Sequence, residues 1–228
     1  MKFIITNDQS LHEAKDELVV VIDVLRAFTT ACYVMNTNPK DYIVLDSPGF
    51  ARKLKEKHPD YILVGERNGT KLPGFDYDSS PTEVENIDFS NKTIVHTTTL
   101  GTKGIVNALN HTKEVITGSF ANAGAIINYI KKEKPNLVYL FPTDSSTNDN
   151  EDVMFAKYVK GYFVNKQLSV SSIKQYLATH KTGRFYLNRS NIEYFSKDFS
   201  FAFEANKFNF VIKAYLRDDR LIHLKKIE

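Results

Sequence analysis

The sequence predicts an α/β fold of three layers, with a mostly parallel or mixed sheet and helices on both faces. Three observations predict it. Short apolar runs alternate with longer helical patterns over the first two thirds of the chain. The runs are β-branched or aromatic and apolar on both faces, as strands covered on both sides are. Their spacing, strand then helix then strand, is that of parallel βαβ units.

In chain order, the first core strand is expected at 19–22 (VVVI), followed by a helix over 27–35. A strand at 42–45 (YIVL) leads to a helix over 50–57, and a further strand lies at 61–64 (YILV). Strands at 93–95, 114–116 and 137–141 each precede a helix, over 101–110, 121–132 and 151–164. From 169 to 203 the text is helical and rich in aromatic and polar residues. Residues 208–216 then alternate like a strand, and 221–227 follow after the turn-like RDDR, so the pair reads as a closing hairpin at a sheet edge. No repeat, low-complexity segment or Gly/Pro/Ser linker interrupts the chain. One compact unit over 1–228 is expected, with a candidate subdivision into a 1–168 core and a 169–228 helical segment plus hairpin.

At 228 residues, with 42% hydrophobic content including 16 Phe and 12 Tyr, the chain can bury a substantial core. Its 30 basic and 27 acidic residues nearly cancel, and no basic stripe is present, which argues against nucleic acid as a partner. The single cysteine, Cys32, excludes an intrachain disulfide and falls on the apolar part of a helix, where it reads as core. The N-terminus turns polar after MKFII, too soon for a signal peptide, and no apolar run reaches membrane-spanning length. A cytoplasmic protein without membrane association is expected. The aromatic-rich C-terminal third and its hairpin suit a homodimer.

Polar residues gather where ligands bind in such folds, beyond the carboxyl ends of strands and at helix N-termini. The first core strand is followed by D-V-L-R, the strand at 61–64 by G-E-R-N-G, and the strand at 93–95 by HTTTLGT. The next two ends carry TGSFANA and PTDSSTNDNED. Hydroxyls and glycines before helices suit an oxyanion, and two arginines can clamp one through their planar forks. Spare carboxylates nearby would suit Mg²⁺, which takes one or two of them with water and phosphate oxygens. The residues thus point to a site for a small anion with a magnesium ion.

Each element also has a structural explanation. A lone D-x-x-R can be a helix cap with a local ion pair, TTTLGT can cap the helix near Gly101, and the Glu151–Asp152 pair complements a helix dipole. His96 at a strand end can be a satisfied core histidine. The clustering, rather than any member, favours a site. Aspartyl-phosphate chemistry lacks its second acid, since Asp23 is followed by Val24 and Leu25. No P-loop, G-x-G-x-x-G or G-x-S-x-G is present.

VVVIDVLRAFTT, GERNGTKLPGFDYDSSP, TTTLGT, GSFANA and EDVMFAK, in this order, resemble the 2-phosphosulfolactate phosphatase family. The resemblance covers about residues 19–161 and is weaker beyond. It implies a magnesium-dependent phosphatase acting on a small phosphorylated sulfonate such as 2-phospho-3-sulfolactate, on the route to coenzyme M. It implies catalytic roles for Asp23, Arg26, Glu66 and Arg67. Substrate and phosphate contacts fall on Asp76, Ser80, Thr98, Thr99, Gly101, Thr102, Ser119 and Asn122, and metal ligation on Asp23, Glu66, Glu151 and Asp152.

The chain departs from the family pattern where G-N-S-P becomes Asp78-Ser79-Ser80-Pro81, where T-T-N-G-T has Leu100 for its asparagine, and where Lys157 replaces a glycine. The expected mechanism is metal-assisted hydrolysis of a phosphomonoester, with Arg26 and Arg67 stabilising the phosphoryl oxygens. The alternative expectation, motivated by Leu100 and the lost glycines, is an anion-binding paralogue without turnover.

Overall fold

Strand β2 (Leu18–Ile22) is buried along its whole length, and its side chains divide by parity. Val19 and Val21 enter one apolar cluster with Phe28, Ala31 and Ile105. Leu18, Val20 and Ile22 enter another with Ile126, Phe155 and Phe199. Successive side chains on a strand point to opposite faces, so a strand apolar at every position needs cover on both sides. This is the physical content of the three layers.

The computed structural model describes residues 1–188 and 193–228. Its strands are β1 (Lys2–Ile5), β2, β3 (Asp41–Val44), β4 (Ile62–Arg67), β5 (Thr70–Lys71), β6 (Thr93–Thr97), β7 (Val115–Gly118), β8 (Leu137–Pro142), β9 (Val211–Leu216) and β10 (Ile222–Ile227). Its helices are α1 (Ala27–Asn36), α2 (Pro48–Lys57), the single turn α3 (Pro81–Val84), α4 (Gly101–Leu109), α5 (Ala123–Glu133), α6 (Glu151–Phe163), α7 (Val170–Thr179), α8 (Lys181–Leu187) and α9 (Glu193–Ala202). Helices α1, α3 and α4 cover one face of β2; α5, α6, α7 and α9 cover the other. Helix α2 packs through Ala51 on a smaller cluster with Ile43, Leu63 and Val95.

The described strands form one mixed sheet in the order β1-β8-β2-β7-β9-β10-β3-β6-β4-β5. Two parallel blocks stand in it, β1-β8-β2-β7 and β3-β6-β4. The C-terminal hairpin joins them: β9 pairs antiparallel with β7, and β10 antiparallel with β3. This corrects the edge placement expected for the hairpin. Alternation along 208–216 indicates a strand with two unlike faces, but it carries no information about what flanks its edges. The edges are β1, whose exposure alternates, and the two-residue β5. Neither was expected from the apolar runs, because neither is apolar throughout.

The three antiparallel pairings between β7 and β3 leave the two blocks running in opposite senses through the ladder. The C-terminal ends of β2 and β6 nevertheless meet, since Gly101 is packed against Asp23. Adjacent strands rotate by roughly 20–25°, and five steps from β2 to β6 accumulate roughly 100–125°. A turn of that size brings nominally opposed strand ends together.

Candidate active site

Asp23 follows β2 directly and caps α1, its Oδ1 accepting from Ala27 N at 3.0 Å. Across the sheet, α4 begins against it. A Cβ on Gly101 would lie 2.7 Å from both Asp23 Oδ2 and Ala27 Cβ. Glycine at this helix start is therefore a packing requirement, whatever else it does. Burial first, then repulsion from Glu66 and Glu151, pushes the Asp23 carboxyl up to about 7, against the lowering pull of the Ala27 N–H.

Glu66 closes β4. Its oxygens accept from Gly69 N at 2.8 Å, Thr99 Oγ1 at 2.9 Å and Thr99 N. One carboxylate thus ties the β4–β5 turn, where Asn68 and Gly69 have positive φ, to the loop before α4. Asp23, Glu66, Thr98 and Thr99 wall one cavity of about 210 Å³, together with Arg26, Leu100 and the aromatic pair Phe185–Tyr186 from α8.

Arg26 is the cation of this cavity, and its terminal nitrogens are already engaged. Nη1 lies 2.8 Å from Asp198 and Nη2 lies 2.9 Å from Asp78, all three side chains being buried. Its guanidinium also sits over the Phe195 ring. Asp78 is pushed up to about 6, burial outweighing the opposing pull of Arg26. Asp198 is a hub, since its Oδ1 also accepts from Ser80 Oγ at 2.7 Å and from Thr82 N at 3.0 Å. Neither Asp78 nor Asp198 was named among the site residues from sequence. A signal for Asp198 was present: it falls on the stripe Phe195–Phe199–Ala202 at helical spacing, so an acid there faces the core and needs partners.

The remaining residues separate into cavity wall and support. Arg67 turns away, Nη1 donating to Glu66 O at 2.7 Å and Nη2 to Asp46 O and Thr97 Oγ1. Asp76 accepts from Leu63 N and Lys55 Nζ outside the cavity. Ser80 caps α3, and Thr98 and Thr102 exchange bonds that cap α4. Ser119 and Asn122 are fully buried, and Asn122 bonds to Ser119 N and Phe210 O. Asp152 holds the backbone after β2, its Oδ1 accepting from Val24 N at 2.8 Å and its Oδ2 from Thr143 Oγ1 and Asp144 N. Glu151 accepts from Thr182 and walls an adjacent cavity of about 420 Å³, which shares Leu25, Phe185 and Tyr186 with the first.

His96, read from sequence as a satisfied neighbour, is buried between Tyr42 OH at 2.8 Å and Ser79 Oγ at 2.9 Å. Burial lowers it to about 3, with Arg67 adding to the effect. It is neutral at physiological pH.

A magnesium ion can be tested against this donor set. Among the described residues, no three His, Cys, Asp or Glu side chains are grouped so as to hold a metal ion. The four carboxylates drawn from the resemblance therefore do not form one cage. Magnesium does not require one, because it retains water and takes one or two carboxylates beside phosphate oxygens. Asp23 and Glu66 on one cavity wall fit that mode; Asp152 is engaged by backbone and Glu151 faces the neighbouring cavity.

No helix of the described residues is long and apolar enough to cross a membrane. Residues 4–215 match the family described as 2-phosphosulpholactate phosphatase. A probable 2-phosphosulfolactate phosphatase of Carboxydothermus hydrogenoformans is 30% identical over 225 residues, covering 94% of this chain and 93% of that protein. One from Caldicellulosiruptor saccharolyticus is 35% identical over 73% of this chain and 70% of its own length. The match to that of Bacillus subtilis (33%) spans 65% of this chain and 64% of that protein. The chain belongs to the 2-phosphosulfolactate phosphatase family, and through it to the phosphoric monoester hydrolases.

Proposed function

We propose that this chain hydrolyses a small phosphomonoester in the Asp23–Glu66 cavity with the help of magnesium. The substrate in the relatives' names, 2-phospho-3-sulfolactate, is the first to assay. One observation carries the reading: two buried carboxylates and a buried arginine, from the loop after β2 and the end of β4, wall a single small cavity. Burying such groups is costly unless they meet a ligand or one another.

Asp23 and Glu66 would hold the metal, which when bound supplies a positive centre for phosphoryl oxygens and acidifies water. Arg26 is fixed by Asp78 and Asp198, so it offers its remaining N–H groups without reorganisation as charge develops. Glu66 sets the loop that presents Thr98 and Thr99. The aromatic wall of Phe185 and Tyr186 limits water on the far side.

The test is phosphate release from 2-phospho-3-sulfolactate and a panel of small monoesters, with magnesium and with excess chelator. Release that stops with chelator and in Asp23→Asn supports the reading. Binding of inorganic phosphate without release from any ester would instead favour an anion-binding protein.

A further inference from the structure

Ser79 also stands in the wall of the Asp23–Glu66 cavity, and its hydroxyl ends a buried chain of three groups. Its Oγ lies 2.9 Å from His96 Nε2, and His96 Nδ1 lies 2.8 Å from Tyr42 OH. The chain holds three protons, one each on the tyrosine, the neutral imidazole and the serine, but it makes only two hydrogen bonds. One proton is left over and must stand at one end or the other. At the inner end it would be stranded on Tyr42, which is fully buried in the apolar cluster with Val44, Phe89 and Ile94. An unmet donor is costly there. At the outer end it belongs to Ser79, beside a polar cavity.

That cost decides the direction. Tyr42, pushed well above its ordinary value by burial, keeps its proton and donates it to His96 Nδ1. The imidazole proton then sits on Nε2 and is donated to Ser79 Oγ, which leaves the serine O–H free to donate. Burial holds His96 at about 3, so it takes up a further proton poorly. The chain therefore orients Ser79 rather than activating it as a nucleophile. Ser79 N also donates to Asp78 Oδ1 at 2.8 Å, and Asp78 Oδ2 holds Arg26 Nη2. Serine and guanidinium are thus carried on one support.

We infer that Ser79 is a substrate-binding residue whose hydroxyl donates a hydrogen bond to a phosphoryl oxygen, and that His96 and Tyr42 are the positioning residues that aim it. The inference rests on this cavity being the hydrolytic site. It also gives meaning to a difference in the chain, since the family pattern has an asparagine where Ser79 stands. An amide always presents N–H groups, whereas a hydroxyl can donate or accept and needs a partner to fix its sense.

The test is a double-mutant cycle in phosphate release, on the full chain with magnesium. Ser79→Ala is expected to lower kcat/KM by about 10- to 100-fold, the scale of a hydrogen bond to a charged group. Tyr42→Phe is expected to lower it severalfold with Ser79 present, and by less than about twofold in the Ser79→Ala background. Equal factors in the two backgrounds, as a purely structural tyrosine would give, overturn the inference. So does a Ser79→Ala value within about twofold of the parent, or phosphoserine at Ser79 in the quenched enzyme. Nitrogen NMR of the parent's imidazoles reads the direction without any variant, His96 being the ring that stays neutral down to about pH 5. The Nε2–H tautomer supports the inference, and the Nδ1–H tautomer overturns it. If the parent hydrolyses no ester, the phosphatase reading fails by itself, and calorimetric titration with inorganic phosphate decides the inference. Binding weakened about tenfold in Ser79→Ala supports it, and unchanged affinity overturns it.

Discussion

Arg26 Nη1 lies 2.8 Å from Asp198 Oδ2, a fully buried ion pair between the loop after β2 and a helix 172 residues further along the chain. Removing one member of such a pair leaves the other charge uncompensated, which costs about 3–5 kcal/mol. Asp198→Ala is expected to lose stability on that scale in urea denaturation and to lose most activity through displaced Arg26. Asp198→Asn, which retains an acceptor for Ser80 and Thr82, should lose less stability.

Asp23 gives a pH signature. Its carboxyl is pushed from an ordinary value of 3.8 to about 7, mainly by burial. Between those values the folded chain holds a proton that the unfolded chain has released, so stability falls as pH rises through the window. Asp23→Asn should be more stable than the parent at pH 8, by about 4 kcal/mol, and nearly equal to it at pH 4. Denaturation midpoints at the two pH values check this. A constant difference would show that Asp23 does not titrate there.

His96 carries the opposite sign. Its folded value, about 3, lies below the ordinary 6.5, so its contribution is complete above 6.5 and is lost as pH falls toward 3. His96→Leu should remove that acid sensitivity. It should also cost about 2–4 kcal/mol at neutral pH, because Tyr42 OH and Ser79 Oγ lose a buried partner. Thermal melts from pH 4 to 8 separate the two effects.

Gly101→Ala tests the meeting of the two sheet blocks. The new methyl would press on Asp23 Oδ2 and Ala27 Cβ. Overpacking of this kind costs about 1–3 kcal/mol. Phosphate release should drop more than stability does, since the displaced group is Asp23. Gly74→Ala is the control for a glycine with open space but positive φ: it is expected to lose stability modestly while retaining phosphate release.

Much of the fold was legible because its strands are buried on both faces, as 19–22 shows, and helix starts lie within a few residues of their expected positions. The cavity was half legible. Asp23, Glu66, Thr98 and Thr99 follow strands and reach it, whereas Asp76, Ser119 and Asn122 serve the scaffold. Spacing along a chain does not reveal whether a polar side chain turns toward a ligand or toward its own backbone. The partners of Arg26 were hidden for another reason. Asp78 reads as a departure from a family pattern and Asp198 as one acid in an aromatic helix, and only tertiary packing joins them.

The central position of the β9–β10 hairpin has a consequence for how the molecule comes into being. Asp23 belongs to the block built around β2, and Glu66 to the block built around β4; the hairpin is what hydrogen-bonds one block to the other. During synthesis both blocks emerge before residues 211–227, the β2 block itself pairing strands far apart in sequence, β2 with β7 and β8. The join must wait for this late keystone, a long-range pairing of the slow kind. The cavity is therefore a product of final assembly. A chain arrested before residue 211 should contain helices and strands, yet it would lack the strand pairings that join the two blocks, leaving contacts such as Arg26–Asp78 and Gly101–Asp23 alone to hold Asp23 and Glu66 on one wall.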